Sequence, residues 1–289
     1  MSVLSRKIAQ RIASEGPLPF SIFMEMALYD PDHGYYRADP FGKDGDFYTA
    51  SQLQPVFGAY VRAMAAMLDP DFTAFTDIGA GREDLRASFN DRNYRAIHRG
   101  QKIPKTKSAI LFSNELFDAL PVDLFEDGKL LRVGCGDGED GKHFVWHPSA
   151  PLAGVREVRP SSRLYLEQAW HSIDTGFFIV IDYGYRHTEE GSGRFPQGSL
   201  MSYRRHVAVD DVLKDPGTQD ITAHVDWDAL MDEARSSGWQ LRSFSSMRAS
   251  LLALGADTLE MLNALGKMQF RTLFFSMGES FDVLVLQKK

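Results

Sequence analysis

The fold is decided by residues 72–81, which read Phe-Thr-Ala-Phe-Thr-Asp-Ile-Gly-Ala-Gly. An apolar run rich in strand-forming residues ends here in Asp-x-Gly-x-Gly, which predicts a buried strand followed by a tight glycine turn. Residues 109–113 and 177–181 are also continuous apolar runs, as expected of a parallel sheet covered on both faces. We therefore expect an α/β protein with a doubly wound, Rossmann-like sheet.

Helical periodicity appears on both sides of these strands. Leu4, Ile8 and Ile12 recur every four residues and predict a short amphipathic helix. Further helices are expected near 22–28, over 55–68, over 226–237 with Gly238 as the stop signal, and over 250–265. The stretches 239–244 and 281–286 are predicted strands.

Two segments depart from this alternation of strands and helices. Residues 17–60 are rich in aromatic residues, Gly and Asp, and such ordered loops often cover a site. Glycines punctuate short apolar stretches between Val122 and Val158, which predicts hairpins. We expect a single domain over residues 1–289, with residues 1–60 as a covering segment and a hairpin insertion over about 122–160.

Composition limits the possible classes of protein. The 289 residues include 32 basic and 39 acidic ones, for a net charge of −7. This balance argues against a protein that coats nucleic acid, because such a protein needs basic residues to neutralise phosphates. Cys135 is the only cysteine, so an internal disulfide is impossible. Neither a signal or transit peptide nor a membrane-spanning run is apparent, and we expect a cytoplasmic protein of bacterial type.

The glycine turn after the first strand is the first candidate site. Asp77, Gly79 and Gly81 let the backbone come close to a ligand, and the alternative is a sharp turn that binds nothing. Glu83 and Asp84 follow Arg82, so the third glycine of the dinucleotide fingerprint is absent and a nicotinamide enzyme is disfavoured. A second glycine cluster, 134–138, is interpreted as a turn between hairpin strands.

Acidic residues follow the predicted strands and form the second candidate site. Glu115 and Asp118 follow one strand, Asp182 follows another, and Asp46 lies in the covering segment. Carboxylates at the ends of parallel strands share one crevice and suit a cationic group such as a guanidinium. The alternative, weighed equally for Asp118 and Asp182, is that they cap turns. His206 and His224 lack the spacing of zinc ligands.

Taken together and in order, the motifs resemble those of the MidA-like methyltransferases, which include bacterial proteins and the mitochondrial complex I assembly methyltransferase. They span almost the whole chain. The matching residues are Tyr29-Asp30-Pro31, Gly34-Tyr35-Tyr36, Gly45-Asp46-Phe47-x-Thr49, Phe57-Gly58, Gly79-x-Gly81-Arg82, the run from Asn114 to Val122, Asp182-Tyr183-Gly184, Gly198-Ser199-Leu200, His206, the run from Asp220 to Asp226, and Met277-Gly278-Glu279.

This resemblance implies an S-adenosyl-L-methionine-dependent methyltransferase, with a protein arginine of a respiratory-complex-type subunit as substrate. It assigns roles to residues by similarity. Glu115, Asp118 and Asp46 would be catalytic; Asp77, Gly79, Gly81, Asn114, Phe47 and Thr49 would hold the cofactor; Asp182, Tyr183, His206 and His224 would line the substrate.

One departure from the family keeps a second hypothesis open. Only residues 83–114 separate Arg82 from Glu115, fewer than is usual in the family, and the rest of the first helix and the second strand are expected to be lost. The alternative function is a catalytically silent binding or assembly factor that keeps the fold without a complete cofactor site.

Overall fold

The computed structural model describes residues 1–38, 50–138, 141–148, 155–186, 195, 198–204 and 207–289. Contacts divide the chain into two compact units. The central-sheet unit contains Thr49–Asp118, Ser162–Gly184 and Trp227–Lys289. The small-sheet unit contains Met1–Tyr48, Ala119–Ser161 and Tyr185–Asp226.

The strands alternate with helices in the central-sheet unit and form small sheets in the other unit. They are β1 Leu18–Pro19, β2 Ala74–Ile78, β3 Asn93–Ile97, β4 Thr106–Asn114, β5 Asp123–Glu126, β6 Lys129–Leu130, β7 Arg132–Gly138, β8 Gly141–His147, β9 Arg156–Val158, β10 Ile173–Asp182, β11 Gly184–Tyr185, β12 Leu200–Arg204, β13 Val207–Ala208, β14 Asp220–Ala223, β15 Val225–Asp226, β16 Gln240–Ser246 and β17 Asp282–Lys288.

The α-helices are α1 Val3–Glu15, α2 Phe20–Tyr29, α3 Val56–Leu68, α4 Ser162–Ser172, α5 Trp227–Ser236, α6 Met247–Ala253, α7 Ala256–Leu265 and α8 Lys267–Arg271. Short 3-10 helices cover Tyr35–Ala38, Ala50–Gln52 and Arg86–Phe89, and a π-helical turn covers Thr272–Met277.

The central-sheet unit is built on a six-stranded sheet in the order β16-β17-β10-β4-β2-β3. Strands β3, β2, β4 and β10 are mutually parallel. Strand β17 pairs antiparallel with both β10 and β16, so β16 again runs in the direction of β10. Every residue of β2 is buried, as expected of a strand covered on both faces. The doubly wound α/β fold predicted from the apolar runs is confirmed, with one strand, β17, that runs in the opposite direction to the other five.

Alternating side chains of β10 face the two helical layers of this unit. Ile179 and Ile181 pack in the same buried cluster as residues of α3 and α6. Phe178 faces the opposite side, where its ring lies 5.9 Å from that of Trp239. The Trp239 indole N–H donates to the carbonyl of Leu166 in α4 at 3.0 Å. Both faces of β10 are therefore covered by apolar side chains at these residues, and the polar groups of the site lie at strand ends.

The small-sheet unit has its own apolar core around α1 and α2. Ile8 of α1 and Phe23 of α2 are fully buried, and the Phe23 ring contacts Phe144 of β8 edge-on at 5.5 Å. The sheets of this unit have the orders β1-β7-β8, β13-β12-β14 and β6-β5-β9. Antiparallel pairing of β5 with β6 and of β7 with β8 confirms the predicted hairpins.

Three local predictions were wrong. Asn93–Ile97 form a strand, β3, in the stretch where the second strand was expected to be lost. The predicted helix over 250–265 is two helices, because Gly255 adopts a positive φ of 86° and caps α7. Residues 134–138, interpreted as a turn, lie inside β7 and pair with β8.

Candidate active site

The strand order reverses between β2 and β4, and an open α/β sheet is expected to have its ligand crevice at such a switch point. From β2 the chain first adds β3 on one side and then crosses to add β4 on the other side. At such a reversal the connections leave the carboxyl ends of the two central strands in opposite directions, and ligands of open α/β sheets bind in the gap. Both motifs singled out from the sequence, the glycine turn and Asn114-Glu115, lie at this point.

The turn after β2 is tightly confined. The Gly79 N–H donates to the carbonyl of Ile97, at the end of β3, at 2.8 Å. Gly79 has a φ of 82°, and a Cβ added to it would lie 2.9 Å from Cδ1 of Leu116. A side chain here would be strained and would fill the crevice, so glycine keeps the backbone open to a ligand. Gly81 is exposed in the same turn.

Asp77 lies beneath this turn in an enclosed environment. Its side chain accepts a hydrogen bond from the Tyr94 hydroxyl at 2.9 Å, and the residue is 6% exposed. Burial raises the pKa of Asp77 to about 7, opposed by the Tyr94 hydrogen bond and reinforced by the nearby charges of Asp84 and Glu83. Asp77 is thus a group whose charge changes near neutral pH.

The end of β4 presents a fixed carboxylate. Glu115 adopts a left-handed φ of 49°, which is uncommon for a residue with a side chain. Its Oε1 accepts from Asn114 Nδ2 at 2.8 Å and from the Ala50 N–H at 2.9 Å. Exchanging the Asn114 amide atoms would set oxygen against oxygen, so the arrangement identifies Nδ2 as the donor.

Two further aspartates, Asp182 at the end of β10 and Asp118 in the turn after β4, differ in their contacts. Asp182 is fully buried; its Oδ2 accepts from the N–H groups of Phe117 and Asp118, and its Oδ1 from that of Tyr183. These contacts support the alternative interpretation of Asp182, as the group that organises the turn after β4. Asp118 accepts a hydrogen bond from the Tyr183 hydroxyl. The substrate role assigned to Asp182 and Tyr183 stays a prediction.

His224 lies in the small-sheet unit. Its backbone N–H donates to Ser199 Oγ at 2.9 Å, and its ring lies 4.6 Å from that of Phe195. The buried Arg159 donates to the carbonyls of Ala223 and His224, which fixes the segment. The remaining site predictions, Asp46, Phe47, Thr49 and His206, lie outside the described residues.

Sequence reasoning missed two groups of the site. Tyr94 was missed because β3 is a half-exposed edge strand interrupted by Arg95, without the apolar run that marked the other strands. The Ala50 N–H was missed because a backbone donor leaves no signal in the sequence. Over the residues described, no group of three His, Cys, Asp or Glu side chains has the arrangement of a metal site.

Comparison with known proteins agrees with this geometry. A family model described as "Putative S-adenosyl-L-methionine-dependent methyltransferase" matches residues 90–245, more than half of the chain. Relatives include the mitochondrial protein arginine methyltransferase NDUFAF7 homolog of Drosophila melanogaster, which is 24% identical over an alignment of 319 positions, gaps included. The alignment covers 81% of this chain and 70% of the relative. NDUFAF7 of Homo sapiens is 25% identical, covering 78% of this chain and 67% of the relative.

Solved structures share the fold. One is a crystal structure from Burkholderia thailandensis, described as a "likely methyl transferase" bound to S-adenosyl-homocysteine. It has a TM-score of 0.82 at 25% identity and covers 98% of this chain and 91% of that chain. A second crystal structure from this organism, at 24% identity, has a TM-score of 0.78. Among the residues described, no helix has both the length and the apolar character needed to cross a membrane.

The residues at the crevice fit the cofactor of this family. Gly79 permits the close approach of an amino-acid moiety to the backbone. Asn114 Oδ1 is buried and accepts no hydrogen bond from any described residue, so it offers an acceptor to an ammonium group. Carboxylates at the ends of β2 and β4 suit a ligand with cationic and hydroxyl groups. By its matched residues, fold and site, the chain belongs to this family of S-adenosyl-L-methionine-dependent methyltransferases.

Proposed function

We propose that this enzyme methylates a guanidinium nitrogen of a protein arginine, on a subunit of the respiratory-complex type. The observation that carries the proposal is Glu115, a carboxylate held at the switch point of the sheet. A carboxylate binds a guanidinium through paired, charge-assisted hydrogen bonds, which also orient its plane. The relatives named as arginine methyltransferases, at 23–25% identity, support the same substrate class.

Glu115 is prepared for this role by its surroundings. Both Asn114 Nδ2 and the Ala50 N–H donate to the same oxygen, Oε1. The carboxylate is therefore held in place by β4 and by the 3-10 helix Ala50–Gln52. The left-handed backbone at Glu115 costs about 1–3 kcal/mol in general, and such strain often concentrates at functional sites. A fixed carboxylate loses little entropy when it binds a cation, which favours a productive orientation.

The chemistry divides between cofactor and chain. When bound, S-adenosyl-L-methionine supplies an electrophilic methyl group on a sulfonium. The enzyme would hold the substrate guanidinium nitrogen in line with that methyl group, so that the N–CH3 bond forms as the S–CH3 bond breaks and S-adenosyl-homocysteine leaves. The Glu115 carboxylate would offset the cationic charge and accept the proton that the nitrogen loses. Asp118, which accepts a hydrogen bond from the Tyr183 hydroxyl, is a second carboxylate in the same unit.

The proposal is tested by following the methyl group. The purified chain is incubated with tritiated S-adenosyl-L-methionine and arginine-containing segments of respiratory-complex subunits, with matched segments in which each arginine is lysine. We expect tritium and a mass increase of one methyl group on arginine, and none on the lysine segments. Label on lysine or on a carboxylate would contradict arginine as the substrate. Absence of any transfer would favour the silent assembly factor.

Glu115→Gln should separate substrate orientation from cofactor binding. Glutamine keeps the size and an acceptor for Asn114 and Ala50 but loses the charge that orients a guanidinium. We expect kcat to fall about 100-fold, with the affinity for S-adenosyl-homocysteine nearly unchanged. Glu260→Gln, on the exposed side of α7, is the matched control and should leave both quantities as they are. Full activity in Glu115→Gln would contradict the role given to Glu115.

A further inference from the structure

The end of β3 lacks a carboxylate where the cofactor crevice would use one. In dinucleotide-binding sheets of this architecture, an acidic residue beyond the glycine turn accepts hydrogen bonds from ribose hydroxyls. Here β3 ends at Ile97 and is followed by His98 and Arg99. The Gly79 N–H donates to the Ile97 carbonyl, so the glycine turn after β2 and the end of β3 are in direct contact. A ribose bound beyond this turn therefore meets no acidic side chain from β3.

Glu83 brings a carboxylate to this place from another element. It lies in the turn after β2 and adopts a left-handed φ of 56°. Its Oε1 lies 3.5 Å from Nε2 of His98, so the carboxylate reaches the residue that follows β3. The Glu83 side chain is 27% exposed, which leaves it accessible to a ligand.

A chain of contacts holds this carboxylate in position. Arg86 Nε donates to Glu83 Oε2 at 2.6 Å, and the Arg86 guanidinium lies 5.0 Å from the centre of the Tyr94 ring. The Tyr94 hydroxyl in turn donates to Asp77. These contacts link Asp77 of β2 and Tyr94 of β3, through Arg86, to Glu83.

The charge of Glu83 is suited to the task. The Arg86 hydrogen bond lowers the pKa of Glu83 below its usual range, so the group is ionised at neutral pH. An ionised carboxylate has about four acceptor positions. It can keep its contacts with Arg86 and His98 and still accept from two neighbouring hydroxyls.

We propose that the Glu83 carboxylate, supplied by the turn after β2 in place of an acidic end of β3, accepts the ribose hydroxyls of the cofactor. The short connection over residues 79–92 makes this possible, because it contains a 3-10 helix, Arg86–Phe89, and no α-helix to carry Glu83 away from the sheet edge. The proposal rests on the cofactor and is independent of arginine as the substrate.

The test measures binding instead of turnover. Calorimetry gives the Kd of S-adenosyl-homocysteine and of its 2′-deoxy and 3′-deoxy analogues for the wild-type chain and for Glu83→Gln. We expect Glu83→Gln to weaken the parent ligand about 10- to 100-fold, the usual effect of a charged hydrogen bond. The loss should be much smaller for at least one deoxy analogue, because the hydroxyl that Glu83 binds is already missing.

Two further variants keep the test decisive. Asp91→Asn removes a carboxylate whose Oδ1 lies 2.6 Å from Nη1 of Arg62, in the same unit, and should leave all three affinities unchanged. If Glu83→Gln does not fold, Glu83→Asp keeps the charge but shortens the reach, and should show the same hydroxyl-specific loss. Unchanged affinity in the folded Glu83 variant, or equal losses for all three ligands, would overturn the proposal. Neither result bears on arginine methylation, which is read from the labelled substrate.

Discussion

At the scale of single residues, the site depends on carboxylates whose surroundings give them different roles. Asp182 is fully buried and is occupied by backbone N–H groups. Glu115 is half-buried and accepts from Asn114 Nδ2 and the Ala50 N–H, and Asp77 is enclosed and accepts from the Tyr94 hydroxyl. Because residue type alone does not determine surroundings, the sequence predicted all of them as site residues and did not distinguish a turn-organising carboxylate from one that faces a ligand.

Asp77 should make folding stability depend on pH. Its folded pKa, about 7, lies above its unfolded value near 3.8, so the folded state holds a proton that the unfolded state releases. This contribution to stability is complete below the unfolded pKa and is lost as the pH rises through the folded pKa.

Urea unfolding at about pH 5 and about pH 8 measures this effect. We expect the wild-type free energy of unfolding to fall by a few kcal/mol relative to Asp77→Asn over this interval. Asparagine still accepts the Tyr94 hydrogen bond but does not ionise, so it serves as the reference. Parallel pH profiles for the two proteins would show that Asp77 does not titrate in this range.

At the scale of elements, the strength of the sequence pattern determined what could be predicted. The fully buried strand β2 and the buried stretches of β4 and β10 were found from their apolar runs. The edge strand β3 was missed because most of its residues are only partly buried and Arg95 interrupts it. The break between α6 and α7 was missed because both helices share one apolar periodicity, and Gly255 was not recognised as the stop.

Lys288, the last residue of β17, connects this interior strand of the sheet to the end of a helix. From β17 its Nζ donates at 2.7 Å to the carbonyls of Trp170 and Ile173, where α4 ends, and lies 4.2 Å from the centre of the Trp170 ring. A cation at a helix C-terminus satisfies carbonyls that have no partner within the helix.

Lys288→Met should lower the free energy of unfolding by about 1–3 kcal/mol, because two carbonyls lose a charged donor. Urea denaturation monitored by circular dichroism measures this change. Lys289→Met alters the neighbouring exposed lysine and should have almost no effect. Equal stability of Lys288→Met and the wild-type protein would indicate that water replaces the lysine at no cost.

At the scale of the whole molecule, the order of motifs along the chain predicted the family, and the folded sheet explains why the motifs belong together. Residues 77–81 and 114–118 are separated in sequence but meet at the switch point between β2 and β4. The extent of the covering segment, about residues 1–60, and of the hairpin insertion stays a prediction, as do the roles of Asp46, Phe47, Thr49 and His206.

The proposed role of Glu83, in place of an acidic residue at the end of β3, also depends on the folded molecule as a whole. The sequence shows a shortened stretch after Arg82, from which a damaged cofactor site was one reasonable interpretation. The structure shows a second parallel strand at Asn93–Ile97 and a carboxylate brought to its end by the preceding turn. Such a replacement depends on tertiary contacts between elements, which a single sequence does not report.

The central claim, a working cofactor site at the turn after β2, is tested most directly by calorimetric titration with S-adenosyl-homocysteine. We predict saturable micromolar binding to the wild-type chain and its loss in Gly79→Val, whose side chain would be strained and would meet Leu116. Gly128→Val, at a positive φ of 73° with no atom within 4 Å, shares the strain without the collision and should still bind. No binding to the folded wild-type chain, or equal binding to Gly79→Val, would contradict the account.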